Sequence, residues 1–392
     1  MSRFRVFMCL GAVLITARAF ARLQSQRNPE PQGGSPVAYA YVAAGTGNGN
    51  PNSVVGYSAA NNGSLTPIPG SPFSDNVSSM AVNGKYLMGT DSSSPTNIDT
   101  FKIGSNGALT YIASTSCAQS GTSCVYAFNL FFDHTGSDLY AMEYDGSNDE
   151  TASYSVNKSS GVLNYLGNTI TGAFPGDYTS TFFIGDNVYA YSADQSGCMY
   201  PNIYGFRRTR SGMLNFTGGL FNPSTQPTPP PGVSIYYPDL LVADRTNHLA
   251  MIEQPANPPG CAMGPLQIAV YTVDAKGNIS TNSTYKNMPA TKIISPYDMK
   301  MSPSGDLLAV AGQEGLQVFH FNGANPVTHY TGLLTKEPIA QMFWDNDNHL
   351  YAISNTAGEL FVFAITPTRH ANAPGSPHAV AGAQDIIVQP LK

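Results

Sequence analysis

Two aspartates, Asp239 and Asp298, each stand at the start of a hydrophobic run, in "YYPDLLVA" and "SPYDMKMS". Carboxylates that enter a shared cavity can take up and return protons, so these two are the candidates for general acid–base chemistry. A further acidic group, Glu143, Asp145, Asp149 and Glu150, falls within "EYDGSNDE". Hard carboxylate oxygens suit Ca2+, but the run lacks the D-x-D-x-D-G-x5-E spacing, and ordinary solvated acids account for it. Tyr144, Tyr178, Tyr200, Tyr236 and Tyr237 fall in the same kind of segment. Tyrosines on a loop face can stack on sugars or anchor a protein partner. Glu143, Tyr144, Asp145 and these tyrosines are therefore the expected ligand-binding face, for a small molecule or a protein.

Beyond Cys9, the chain has four cysteines, an even number that suits an oxidising compartment. Cys117 and Cys124 are close enough in sequence for a local bridge, and Cys198 with Cys261 is the remaining pair. The gap between Cys117 and Cys124 is too long for a C-x2-C zinc site, and no histidines stand at matching spacing, so no metal is expected. The seven histidines fall in turns, hairpins or a blade end, and of them only His378 stands where a base at the channel mouth could be. No G-x-S-x-G elbow, phosphate-binding loop or H-E-x-x-H motif occurs, and no cofactor is expected.

The N-terminus carries Arg3 and Arg5, an apolar stretch from Val6 to Ala17 and a small-x-small Ala17-Arg18-Ala19 site. This reads as a signal peptide over residues 1–19, followed by a disordered linker over 20–36, and predicts a secreted or periplasmic protein. No later apolar run reaches the roughly 20 residues of a membrane span. The whole chain has 19 Lys+Arg against 25 Asp+Glu. Losing Arg3, Arg5 and Arg18 leaves 16 against 25, a net charge of −9. Nucleic acid, which wants a basic stripe, is excluded on that balance. A monomer is expected.

The elements that must position these residues repeat along the chain. Charged residues are only 11%, while 38 Gly, 29 Pro and 22 Tyr favour turns and strands. A hairpin signature of hydrophobic strand, Gly/Asn/Asp turn and hydrophobic strand starts at residues 80, 130, 182, 240, 299 and 342. A second hairpin follows each, and one precedes the first, as in "SVVGYSAANNGSLTPI", "NIDTFKIGSNGALTYI" and "NIYGFRRTRSGMLNFT". Joined, they make four-stranded meanders, strands A to D, at the period of a propeller repeat. Seven second hairpins but six first ones leave one split unit: "AQDIIVQP" near the C-terminus supplies its strand A and "VAYAYVAAG" from residue 37 its strand B. The expectation is an all-β, seven-bladed β-propeller over residues 37–392, with blade one closed by both chain ends. The A–B and C–D turns are short, whereas the B–C and D–A connections carry the length variation. The functional face is expected on the long-loop side.

The stretch "SVVGYSAANNGSLTPIPGSPF", residues 53–73, resembles the lactonase-type seven-bladed propellers, a family that includes the propeller-type 6-phosphogluconolactonases and muconate-lactonizing relatives. The resemblance spans residues 37–390 and implies a lactonase-like fold. Enzymes of that family carry a G-P-R-H stretch before the strand-A turn. Here blade six has Ser295, Pro296, Tyr297 and Asp298 in those places, and blade three has Tyr126, Ala127, Phe128 and Asn129. The departure predicts a divergent, secreted member without 6-phosphogluconolactonase activity. It acts as a binding module on the long-loop face or, alternatively, as a hydrolase or isomerase of an uncharged lactone or sugar-derived substrate.

Overall fold

The computed structural model describes residues 35–45, 50–118, 123–170, 180–193, 202–220, 223–257 and 264–391. The expected leader and nearly all of the expected linker lie outside them, as do Cys198, Cys261, Tyr178 and Tyr200.

Seven antiparallel sheets follow one another, each a meander whose strands hydrogen-bond in sequence order. Blade 2 shows the pattern: strand A is Val77–Val82, B Tyr86–Asp91, C Asn97–Ile103 and D Leu109–Ser116. Blade 1 is the split one, with strand A from Ala383–Pro390 and strands B to D from Ala38–Ala44, Ser53–Ala59 and Leu65–Pro67. Its A and B strands pair from Ala38↔Pro390 to Ala44↔Ala383 with a single irregularity. The expected closure is therefore the observed one. No α-helix occurs among the described residues.

A single blade cannot bury both faces, so the apolar side chains gather between blades. Among the described residues seven clusters of buried side chains occur, one at each interface. Strand B is nearly all buried, as in Ala38–Ala44 and Leu307–Gly312, because it is covered on both faces. Continuous rather than alternating hydrophobicity is the signature of such strands.

Two contacts recur from one blade to the next. On the inner ring, a strand-A side chain accepts the backbone N–H of the following blade: Asp385 from Met80, Ser79 from Leu130, Asp298 from Met342, and Gln341 from Ile386. On the outer side, a strand-B ring packs on the C–D turn of the following blade. Tyr41, Tyr140 and Tyr191 donate their hydroxyls to the carbonyls of Gly107, Gly212 and Gly277, at 2.7, 2.8 and 2.9 Å. Each of those glycines has a positive φ, between 83 and 93°. At Gly277 an added Cβ would also lie 2.5 Å from the Tyr189 ring. The turn glycines in "NGAL", "SGML" and "KGNI" thus satisfy a left-handed backbone and a close approach together.

These contacts give two expected outcomes. Gly277→Ala should destabilise by about 2–4 kcal/mol, combining left-handed strain with the ring clash. Gly218→Ala, where φ is also positive but nothing lies within 4 Å, should cost only about 1 kcal/mol; urea unfolding checks the difference. Deleting residues 383–392 should abolish the cooperative thermal transition, since it removes strand A of blade 1 and the Asp385 acceptor; a calorimetric scan reads this.

Candidate functional site

Strand A of every blade lines the central channel, and its inner-ring position decides what the channel offers. The residues there are Ser79, Asn129, Ser180, Leu240, Asp298, Gln341 and Asp385 in the register of the A–B turns. Asp298, the first candidate base, is buried. Its Oδ2 accepts the Met342 amide at 2.7 Å, and its Oδ1 accepts both the Met299 amide at 2.9 Å and the Lys300 ammonium at 2.8 Å. Both of its oxygens are thus engaged by donors. Asp385 is its counterpart in blade 1. Burial pushes its carboxyl up, while the Met80 amide, the Gln341 side chain and the Ile386 amide act to lower it. Asp239 is the bulged residue of strand A in blade 5, between Pro238↔Glu253 and Leu240↔Ile252. The inner-ring position of that blade belongs to Leu240, and Asp239 lines neither cavity described below. The structure does not bring the two aspartates into one cavity.

Two cavities lie along the channel. The smaller, about 240 Å³, is on the long-loop side and includes Tyr297, Asp298, Lys300 and Gln341. The larger, about 620 Å³, runs from the inner ring to the short A–B turns. This is the side opposite to the one expected from loop length. Its wall combines the amides of Asn83 and Asn346 with the rings of Phe182, Phe343 and Trp344, and it holds His134 and Arg245. The two cavities share Asn129, Ser180, Phe182, Lys300 and Gln341, which form the waist. Lys300 there is already neutralised by Asp298 and lies 5.4 Å above the Phe182 ring.

The charge left over in the larger chamber is Arg245, which has no carboxylate within ion-pair distance among the described residues. Its neighbour His134 sits edge-on to Phe183, with ring centroids 6.1 Å apart. Burial, then Arg245, pulls the imidazole below its usual pKa, so it is neutral at neutral pH. The turn carrying His134 is pinned by Asp133. That buried carboxylate accepts the Ser137 and Asp138 amides at 2.8 and 3.0 Å and the Thr135 hydroxyl at 2.7 Å. Across the blade boundary, Asn187 donates to Asp133 at 2.9 Å and accepts the His134 amide at 2.8 Å. Related Asp turns hold His248 through Asp244 and His349 through Asp345. Those two imidazoles are structural, as expected of turn histidines, but His134 faces the chamber. Sequence reasoning passed over His134, Arg245 and Lys300 because it set the short-turn side aside. The signal available was their strand-A register, two residues or fewer from an A–B turn or an inner-ring residue.

The expected ligand face is corrected in several places. "EYDGSNDE" is a hairpin, since strands Asp138–Tyr144 and Asp149–Val156 leave only residues 145–148 as turn. The Asp145 carboxylate closes that turn by accepting the Ser147 and Asn148 amides at 2.6 Å each. Glu143 faces inward and accepts the Tyr154 hydroxyl at 2.6 Å. Tyr236 and Tyr237 belong to strand Ile235–Ala243 and are buried, with the Tyr236 hydroxyl donating to Gln267 at 2.9 Å. They are unavailable to a ligand because the strand begins well before the hydrophobic run that marked it. Tyr144 stays half-exposed and packs on Tyr126 at 5.3 Å.

The Cys117–Cys124 bridge is present. Its sulfurs and a Glu143 oxygen all lie within 4.8 Å of one another. With the sulfurs bonded to each other, neither is a thiolate that could ligate a metal. The Glu143–Tyr154 arrangement recurs in blade 5, where Tyr271 donates to Glu253 at 2.5 Å. Burial pushes both glutamates up to about 8.

In fold, this chain is similar to the lactonase-type seven-bladed propellers. A Bacteroides fragilis protein proposed to be a 6-phosphogluconolactonase superposes with a TM-score of 0.63 at 12% identity, over 92% of this chain and 99% of its own. A Lactobacillus plantarum protein gives 0.65 at 13%, over 90% and 99%. The periplasmic gluconolactonase of Pseudomonas aeruginosa gives 0.60 at 13%, over 90% and 98%. No family model and no curated protein matches the sequence.

The buried glutamates predict a pH effect. The Glu253 carboxyl is raised above its unfolded value of 4.5. Between about pH 4.5 and 8 the unfolded chain has lost this proton while the folded chain keeps it, so stability falls as pH rises through that window. Glu253→Gln should lose less stability than wild type between pH 5 and 8, by a few kcal/mol, in urea melts at each pH.

Proposed function

We propose that the protein is a ligand-binding propeller that works outside the cytoplasm. Its short-turn chamber takes a small polyhydroxylated molecule of the sugar-lactone class or the ring-opened acid. The observation that carries this reading is the division of charge along the channel. Asp298 and Asp385 spend their oxygens on the amides of neighbouring blades, whereas the chamber presents aromatic faces and Arg245, which has no carboxylate within ion-pair distance among the described residues. Such a wall recognises hydroxyls, sugar faces and one carbonyl or carboxylate oxygen. A phosphorylated sugar would want more than one available cation, and Lys300 is already paired. A neutral lactone or its acid therefore fits better. The Cys117–Cys124 bridge, the signal-like N-terminus and the periplasmic gluconolactonase among the structural neighbours support the location.

A second reading, hydrolysis of the same ligand, is favoured by His134 beside Arg245. A neutral imidazole can take a proton from water, and a guanidinium can stabilise the oxyanion formed at a lactone carbonyl. The expected outcome on a panel of neutral sugar lactones and aldonic acids is calorimetric binding that Arg245→Ala weakens at least tenfold. Ring opening should not exceed the uncatalysed rate. Turnover that His134→Asn removes and Asp298→Asn leaves in place would establish the hydrolytic reading instead. No binding across the panel, in a protein that melts cooperatively, would reject the chamber as the site.

A further inference from the structure

The bridge between Cys117 and Cys124 lies at the interface of blades 2 and 3, in the connection that runs into strand A of blade 3, Tyr126–Phe132. Its two sulfurs are unlike. Cys117 is fully buried, while Cys124 keeps 9% exposure. Around Cys117 the packing is apolar, including Met88, Ile98 and Ala127. A bare thiolate charge released in such a place is costly. A carboxyl oxygen of Glu143, a residue 2% exposed, lies within 4.8 Å of both sulfurs, and Glu143 accepts the Tyr154 hydroxyl. Blade 3 also places Glu150 opposite Glu143 in the strand register. Burial keeps Glu143 protonated at neutral pH, and the Glu150 charge acts in the same direction.

We propose that Cys117–Cys124 is a thiol–disulfide exchange site in which Glu143 donates the proton to the leaving sulfur of Cys117. The co-reactant is a dithiol, either a small molecule or a protein. Its thiolate attacks Sγ of Cys124, the S–S bond breaks, and the electron pair goes to Sγ of Cys117, which takes the proton from Glu143. Glu143 regains a proton from solvent, and the second thiol of the reductant, ionised in solution, attacks the reductant's own sulfur in the mixed disulfide. Cys124 leaves and is protonated by solvent. Two electrons pass from the dithiol to the bridge, and the reductant ends as a disulfide. Glu143 begins and ends protonated, so its removal changes the rate of exchange without changing its equilibrium. The apolar lining makes this assistance matter, because the same step in water would need no internal donor.

The test reduces the oxidised full chain with dithiothreitol at neutral pH. The reaction is stopped with an alkylating agent, and the Cys117 and Cys124 peptides are quantified by mass spectrometry. Glu143→Gln keeps an acceptor for Tyr154 and is neutral like the acid it replaces, so it should melt with wild type. Its exchange should be at least tenfold slower, with the same fraction reduced at equilibrium. Glu253→Gln, the matching change in the blade 5 pair, should exchange at the wild-type rate. Equal rates for wild type and Glu143→Gln, or an equal slowing in Glu253→Gln, would overturn the proposal. Wild type alone supplies a second reading should the variant fold poorly. With a monothiol in place of the dithiol, the trapped mixed disulfide should be on Cys124 and the free thiol on Cys117; the reverse distribution would also overturn it.

Discussion

A seven-membered ring of sheets has to be held at its narrowest circumference, and here a side chain of one inner strand accepts the backbone amide of the next. Asp298, Gln341 and Asp385 carry this contact through blades 6, 7, 1 and 2, and Ser79 carries it into blade 3. The amides of Met80 and Leu130 lie beside bulges in strand A, where ladder partners are interrupted. A buried N–H left without an acceptor costs on the order of 1–3 kcal/mol, so these side chains hold the ring together at its inner circumference. The same constraint locates the chemistry elsewhere. Once the ring position is occupied, only residues further along strand A and in the A–B turns remain to meet a ligand.

The outer contacts complement this inner ring. Each large strand-B side chain must end somewhere, and the C–D turn of the following blade is the surface it meets. Tyr86 sits against Gly161, and the imidazoles of His349 and His248 against Gly63 and Gly323. Blades 5 and 7 place a histidine fixed by a turn aspartate at this contact. A single turn glycine thereby reports on two elements: its own hairpin, which needs positive φ, and the neighbouring blade, which needs the absent Cβ.

The blade count, the split first blade and the local disulfide were legible in the sequence because each rests on local order: hairpins of period two, and cysteines seven residues apart. The misplacements have a common physical origin. Strands covered on both faces tolerate polar residues that have an internal partner, so Glu143, Tyr236 and Tyr237 look like loop residues until Tyr154 and Gln267 are seen beside them. Cavity depth, likewise, is a property of how seven inner strands converge, and loop length does not encode it. His134 and Arg245 stand 111 residues apart in the sequence, on blades 3 and 5, and only the convergence of the inner strands puts both in one wall.

The two buried glutamates show how far the same local chemistry can diverge with its neighbours. Glu143 and Glu253 occupy equivalent places at the end of strand B, each accepting a strand-C tyrosine. Burial alone is enough to keep both protonated, and in blade 5 that is a cost the fold bears without a described return. In blade 3 the neutral acid lies against two sulfurs, one of them sealed from water. A proton stored in an apolar interface has value only where a charge is about to appear, and the released Cys117 thiolate is the charge this interface can produce.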